Sequence, residues 1–149
     1  MTKSEKQQFN PRLIVYQIVA LQCFYYLTLG ALLGTFHILF GTSLSMEHFF
    51  SSKFMNSGSA SGWVVMAATV LTSLCGSLLL AIVVEKSRKC LDFTATLFIL
   101  HLMLCCGWQG VPATWDWWIT HVVALVVMVV LGEYLCSRRE LQDIPLVAI

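Results

Sequence analysis

Hydrophobic residues occur along this chain in long blocks that charged residues separate. Four blocks contain no Asp, Glu, Lys or Arg: residues 13–46, 54–84, 93–115 and 117–132. The last block reaches residue 136 if Glu133 is accepted inside it. A helix needs about 20 apolar residues to cross the roughly 30 Å hydrocarbon core of a bilayer. The pattern predicts an all-α fold, an integral membrane four-helix bundle with spans near residues 14–40, 63–84, 93–110 and 117–136. These form one domain over residues 1–149.

Basic residues are distributed unevenly among the segments that flank these spans. Eight lie before the first span, between the second and third spans, or after the fourth: Lys3, Lys6, Arg12, Lys86, Arg88, Lys89, Arg138 and Arg139. Only Lys53 lies in the other two loops. The positive-inside rule therefore predicts that both termini, the loop at residues 85–92 and the tail at residues 137–149 are cytosolic. The loop at residues 41–62 is then lumenal.

Composition favours a membrane protein and excludes one that binds nucleic acid. Of the 149 residues, 58% are hydrophobic and 11% are charged, whereas a soluble domain usually carries about 25% charged residues. The net charge of +1 offers no basic surface for a nucleic acid. The polar first twelve residues and the long apolar run after them do not resemble a cleavable signal peptide.

Small residues predict where helices approach one another closely. Gly30 and Gly34 form a GxxxG pair in the first span, and Ser73, Ser77 and Ala81 repeat the small-residue spacing in the second. Without bulky side chains two helix backbones gain van der Waals contact in lipid. Both sets are expected to pack inside one bundle, and a homo-oligomer or another membrane protein is the open alternative.

The first lumenal loop contains an aromatic pattern. Met46, Phe49, Phe50 and Phe54 recur at helical spacing within a serine-rich stretch. This spacing predicts a short amphipathic helix that lies on the lumenal membrane surface.

The cysteines do not form the pattern of a thiol oxidoreductase. The chain has six cysteines but no CxxC pair, and Cys105 and Cys106 are adjacent within the third span. An oxidoreductase needs a pair that a quinone or a partner disulfide can reach. Cys90 and Cys136 lie at the predicted cytosolic face, where they are candidates for reversible palmitoylation.

No other set of residues predicts catalysis, a metal site or a cofactor. Counted from the predicted span boundaries, His101 and His121 differ in depth by roughly 8–10 Å, so they are not expected to share a haem or a metal. His37 and His121 lie on the same side of the membrane and are expected within reach of each other. No acidic residue lies near the midplane, where a proton-coupled transporter would need one. A small four-span transporter of unknown solute is kept as the alternative function.

The whole chain resembles the Sys family of four-span Golgi membrane proteins. The likeness is carried by NPRLIVYQIVALQCFYYLTLG, KCLDFT, HLMLC, TWDWW and the closing GEYLCSRRELQDIPL. The resemblance implies a receptor without enzymatic activity. It implies that the chain brings an Arf-like (Arf-related) small GTPase, which has an acetylated N-terminal amphipathic helix, to the trans-Golgi membrane. It also implies a role in vesicle-mediated traffic between endosomes, the Golgi and the plasma membrane.

We expect the GTPase to contact the predicted cytosolic face, where eight charged residues are candidates: Lys86, Arg88, Lys89, Asp92, Glu133, Arg138, Arg139 and Glu140. Asp92 opens the third predicted span, where a carboxylate suits the positive helix N-terminus. Glu133 lies just below the headgroups, where an unpaired carboxylate is costly. Either it pairs with Arg12, Lys89 or Arg138, or it captures the GTPase helix directly.

Overall fold

The fold is known from a computed structural model, which describes residues 10–84 and 86–142. In chain order the described elements are α1 (Pro11–Phe40), α2 (Glu47–Phe50), a 3-10 turn (Ser52–Phe54), α3 (Ala60–Val83), α4 (Ser87–Gln109) and α5 (Trp115–Gln142). α1, α3, α4 and α5 are long and apolar enough to span a membrane. The prediction of an all-α, four-span membrane protein is confirmed.

The long helices start and stop at recognisable local signals. Pro11 occupies the first turn of α1, where its missing N–H costs nothing. α1 ends at Phe40, and the Gly41 that caps it has a left-handed φ of 65°. The Ser59 hydroxyl accepts a hydrogen bond from the Gly62 N–H and caps α3.

Two helices continue beyond the predicted spans, which are the stretches expected inside the hydrocarbon. α4 begins at Ser87 rather than near residue 93, and most of the predicted loop at 85–92 is therefore helical. α5 continues through Gln142, so the first part of the predicted tail is also helical. Hydropathy marks the hydrocarbon, whereas Lys, Arg, Glu and Gln sustain a helix beyond it. Residues 143–149, Lys3, Lys6 and Glu85 lie outside the described part of the chain.

The bundle is organised around α3 and α5. α3 packs against α1 and α5, α4 packs against α5, and α1 and α4 touch each other less. We call the end formed by the first turns of α1 and α4 and the last turns of α3 and α5 the tail end. The opposite end, which includes α2, is called the loop end.

The tightest helix packing lies between α3 and α5, and glycines permit it. A Cβ at Gly76 would lie 2.9 Å from Met128 Cε, and one at Gly132 would lie 3.0 Å from Leu80 Cδ1. Ser73, Ser77 and Ala81 are buried, as the small-residue spacing predicted. Gly76 and Gly132 were not predicted from the sequence, because they lie on two different helices and form no GxxxG pair.

Gly30 and Gly34 do not bring two long helices together. A Cβ at Gly30 would lie 3.5 Å from the ring of Phe49, which belongs to α2. A Cβ at Gly34 would have no neighbour within 4 Å among the described residues outside its own helix. Contact of Gly34 with a second copy of the chain stays a prediction.

α2 is not a surface helix, which corrects the prediction made for Met46, Phe49, Phe50 and Phe54. It is only four residues long, and His48 in it is buried. The Phe50 ring lies 5.7 Å from both the Tyr26 and the Trp108 ring centroids, between α1 and α4. Phe49 and Phe50 are half-buried because α1 and α4 leave room for them, whereas Met46 is 70% exposed.

Candidate functional site

The eight predicted partner-binding residues lie on two elements of the tail end. Lys86 precedes α4, Arg88, Lys89 and Asp92 lie in its first two turns, and Glu133, Arg138, Arg139 and Glu140 lie in the last turns of α5. Lys86 is half-buried and the other seven are exposed. The structure thus places all eight at one end of the bundle, although their contacts differ.

Glu140 joins the end of α5 to the start of α4. Its two carboxylate oxygens accept hydrogen bonds from the Ser87 N–H at 3.1 Å and from the Ser87 hydroxyl at 3.0 Å. The first N–H groups of a helix have no partner within the helix and carry partial positive charge. Glu140 therefore supplies to α4 the negative charge that the sequence argument expected from Asp92.

Asp92 does not lie at a helix N-terminus, and that interpretation is wrong. α4 has no acidic residue in its first turn, since it begins at Ser87. The Asp92 backbone carbonyl accepts a hydrogen bond from the Thr96 hydroxyl at 2.7 Å, and its side chain is exposed.

Two side chains satisfy the last carbonyl groups of α3. Arg139 Nη1 donates to the Ala81 carbonyl at 2.7 Å, and Gln17 Nε2 donates to the Val83 carbonyl at 2.8 Å. These carbonyls lie where a helix runs out of its own donors. A cation also complements the negative end of the helix dipole. α5 and α1 are both tied to the end of α3 in this way.

Cys90 and Cys136 face each other beneath these polar contacts. Their Sγ atoms are 3.3 Å apart, and both residues are fully buried. The Cys136 Sγ also lies 3.9 Å from the Leu80 carbonyl oxygen. Neither thiol is presented to an acyltransferase in this packing, which removes the geometric basis for palmitoylation here.

Glu133 is not paired in the way the sequence argument preferred. Among the described residues, no hydrogen bond or ion pair joins it to Arg12, Lys89 or Arg138, and its side chain is exposed. Arg138 instead packs over the Tyr134 ring at 5.8 Å and lies 3.4 Å from the Tyr134 hydroxyl. The Glu133 carboxylate is therefore available to a molecule outside the bundle.

Ser87, which makes an interhelical contact at the tail end, was not predicted from the sequence. Ser87 stands directly before the apolar run of α4, a position where serine often begins a helix, so a signal for it was present. No signal in the sequence pairs Gln17 with Val83, because that contact depends on how α1 leans on α3.

A second polar cluster lies inside the bundle, where His101 and His121 stack. Their ring centroids are 5.1 Å apart, so the predicted separation in depth is wrong. Counted from the loop end, where α4 ends at Gln109 and α5 begins at Trp115, His101 is about 12 Å deep and His121 about 9 Å deep at 1.5 Å per residue. His37 does not pair with His121 but makes an edge-to-face contact with His48, with ring centroids 4.8 Å apart.

The histidine pair is held by aromatic and polar neighbours. The Tyr26 hydroxyl hydrogen-bonds to His101 Nδ1 at 2.8 Å, and Trp117 stacks on His121 at 4.0 Å. Within residues 10–84 and 86–142, no group of three or more His, Cys, Asp or Glu residues is arranged to hold a metal ion. A cavity of about 20 Å³ beside the pair is lined by Thr94, whose buried hydroxyl makes no hydrogen bond to the described part of the chain. It has room for about one water molecule.

Comparison with known proteins identifies the kind of membrane protein. The family model described as SYS1, integral membrane protein S linking to the trans Golgi network, matches residues 4–146. A protein named Protein SYS1 homolog from Dictyostelium discoideum is 43% identical over 138 residues, which cover 93% of this chain and 60% of that protein.

Two further relatives match at similar coverage of this chain. The Protein SYS1 homolog of Nematostella vectensis is 37% identical over 140 residues, 94% of this chain and 89% of the relative. Protein SYS1 of Saccharomyces cerevisiae is 26% identical over 140 residues, 93% of this chain and 69% of the relative. The chain thus spans less than two thirds of the Dictyostelium protein but most of the Nematostella one. No solved structure matches the chain.

Proposed function

Because the chain belongs to the SYS1 family of integral membrane proteins, we propose that it recruits an Arf-like small GTPase to the trans-Golgi network membrane. Recruitment would support vesicle-mediated traffic between endosomes, the Golgi and the plasma membrane. The chain acts as a docking protein and not as an enzyme. The family description, which links such proteins to the trans Golgi network, supports the membrane named here.

The proposed orientation places the tail end in the cytosol, where the GTPase is. It is supported by the basic residues Arg12, Arg88, Lys89, Arg138 and Arg139, which all lie on the first or last turns that form this end. Basic residues are retained on the cytosolic side of membrane proteins. The basic residue of the opposite end, Lys53, lies in the 3-10 turn after α2.

The single observation that carries the proposal is the construction of the tail end. Glu140 and Arg139 hold the end of α5 against α4 and α3, while Arg88, Lys89, Glu133 and Arg138 remain exposed. A face that is fixed in position and exposes charged side chains of both signs suits a soluble partner. It loses little side-chain and backbone freedom when the partner binds.

The mechanism combines two weak interactions. An amphipathic helix with an acetylated N-terminus and no long acyl chain binds a membrane only marginally. A second contact with the tail end raises the residence time, because the helix is then held at a high effective concentration near the bilayer. The location of the docking protein determines which membrane receives the GTPase.

The buried His101–His121 pair is the observation that favours the alternative, a small transporter. Ionisable residues inside a membrane often mark a solute or proton pathway. The cavity beside the pair, of about 20 Å³, is far smaller than the several hundred Å³ of a usual ligand pocket. Solute flux into proteoliposomes that contain the purified chain distinguishes transport from docking.

The proposal is tested by removing the chain from its cell and measuring the fraction of the Arf-like GTPase on Golgi membranes. We expect the GTPase to become cytosolic and to return when the wild-type chain is restored. A double variant, Arg88→Glu with Lys89→Glu, should fail to restore it. Lys53→Glu, which reverses the charge at the loop end, is the matched control and should restore it fully. A GTPase that stays on the Golgi without the chain contradicts the proposal.

A further inference from the structure

Two apolar grooves open on the outer surface of the bundle at the loop end, on either side of Trp63. The groove between α1 and α3 has a volume of about 620 Å³, and Phe36, Phe40 and Val64 line it. The groove between α3 and α5 has a volume of about 440 Å³, and Val70, Ile119 and Val123 line it. Trp63 and Ala67 line both grooves.

Trp63 is fixed in position although its side chain is 61% exposed. Its indole Nε1 donates a hydrogen bond to the Ser57 carbonyl at 2.9 Å. Ser57 is held in turn by Asp116 at the start of α5, whose Oδ2 accepts from the Ser57 N–H at 3.1 Å and from its hydroxyl at 3.3 Å. The indole therefore projects from α3 as a fixed wall between the two grooves.

Each groove runs along about two thirds of one membrane leaflet. α3 lines the first groove from Ala60 to Ala67 and the second from Trp63 to Val70. Either stretch rises by about 10 Å at 1.5 Å per residue, whereas half of the hydrocarbon core is about 15 Å. The upper part of an acyl chain therefore fits along each groove.

Each groove is polar at its outer mouth and apolar below. Thr42 and Ser61 lie at the mouth of the first groove, and Ser57 and Asp116 at the mouth of the second. An amphipathic molecule with its polar part at the membrane surface matches this order. The Asp116 carboxylate disfavours a headgroup with a net negative charge.

We propose that the two grooves form one binding site for a two-chain zwitterionic phospholipid of the loop-end leaflet. One acyl chain lies on each side of Trp63, and the headgroup lies over Ser57 and Ser61. A sterol has a single apolar body and would fill one groove only. A helix of a second copy would have to pack over the projecting Trp63 ring, which is 61% exposed. The site is on the opposite end from the docking face, so it does not depend on the GTPase.

The test uses a phosphatidylcholine that carries a photoreactive diazirine halfway along either chain. The purified chain is labelled in nanodiscs, and the adducts are mapped by mass spectrometry. We expect adducts in both grooves, near Phe36 on one side and near Val123 on the other. Unlabelled phosphatidylcholine should compete better than the single-chain lysophosphatidylcholine or a sterol.

The decisive variant is Ala67→Phe, since Ala67 is exposed and lines both grooves. Its ring should lower labelling of both grooves at least about fivefold by overfilling them. Leu78→Phe is the control, because Leu78 is an exposed residue of the same helix outside both grooves. Ala67→Leu, a milder change, is used if Ala67→Phe does not fold, and it should lower labelling in the same direction.

Three results would overturn the proposal. Labelling that is spread evenly over exposed residues such as Leu78 and Val130 means that the chain has only a general lipid coat. If a sterol competes as well as phosphatidylcholine does, the site binds a ligand with a single apolar body and not a two-chain lipid. Cross-links between two copies through Ala67→Cys mean that protein covers the grooves.

Discussion

Aromatic packing distinguishes the two ends of the bundle. At the loop end Phe50 and Trp117 pack between the helices, in addition to hydrogen bonds such as that from the Ser57 N–H to Asp116. At the tail end α3, α4 and α5 are joined by hydrogen bonds from exposed charged side chains, with the Cys90–Cys136 contact below. Aromatic packing contributes stability, whereas solvent-exposed polar contacts contribute little. Most of the stability is therefore expected from the loop end, opposite the end where docking is proposed.

The largest effect on stability is expected from Trp117→Ala at the loop end. Trp117 is 1% exposed and stacks on both histidines. Removal of a buried tryptophan costs about 3–5 kcal/mol where the cavity does not collapse. The free energy of unfolding, measured by SDS titration in mixed micelles, should fall by that amount. Trp115→Ala, at a residue that is 82% exposed, is the control. An equal loss of stability there would mean that burial of Trp117 is not the source of the effect.

A smaller loss is expected from Tyr26→Phe, which removes one hydroxyl. The hydroxyl hydrogen-bonds to His101 Nδ1 at 2.8 Å, and its loss leaves a buried ring nitrogen without that partner. Such a change costs about 1–3 kcal/mol. The same titration measures it, with Tyr16→Phe at an exposed position as the control. If Tyr26→Phe has no effect, the histidine cluster does not stabilise the bundle.

Glu140→Ala at the tail end should cost still less stability but should impair docking. It removes both hydrogen bonds to Ser87, and an exposed pair of this kind contributes roughly 1 kcal/mol or less. The double variant with Ser87→Ala should lose little more than Glu140→Ala alone. Additive losses of stability would mean that the hydrogen bonds between Glu140 and Ser87 do not contribute to stability. Recruitment of the GTPase should fall because the end of α5 is no longer held against α4.

Glu133→Ala should have the smallest effect on stability, within about 0.5 kcal/mol, as expected for an exposed residue to which residues 10–84 and 86–142 offer no hydrogen bond or ion pair. Its effect on recruitment should nevertheless be clear if the carboxylate contacts the GTPase. Recruitment is scored in cells and the melting temperature in detergent. A marked loss of thermal stability would restore the structural interpretation that the sequence favoured.

The sequence predicted the spans and the charged end but not the contacts between helices. Long charge-free blocks identify segments that cross hydrocarbon, and the positions of Arg88, Lys89 and Arg138 follow from where those blocks stop. The insertion of Phe50 between α1 and α4 depends on the space that tertiary packing leaves. The stacking of His101 on His121 depends on how α4 and α5 are aligned at the loop end, which tertiary packing decides. Glu140 capping α4 joins residues that lie far apart in the chain, so no local signal pairs them.

The most direct test of docking at the tail end is site-specific photo-crosslinking in nanodiscs. A photoreactive amino acid is placed at position 88, at position 133 or, as the control, at position 53, and the acetylated Arf-like GTPase is added. Adducts with the GTPase from positions 88 and 133 but not from position 53 are the predicted result. Adducts from position 53 alone, or equal adducts from all three positions, would contradict docking at the tail end.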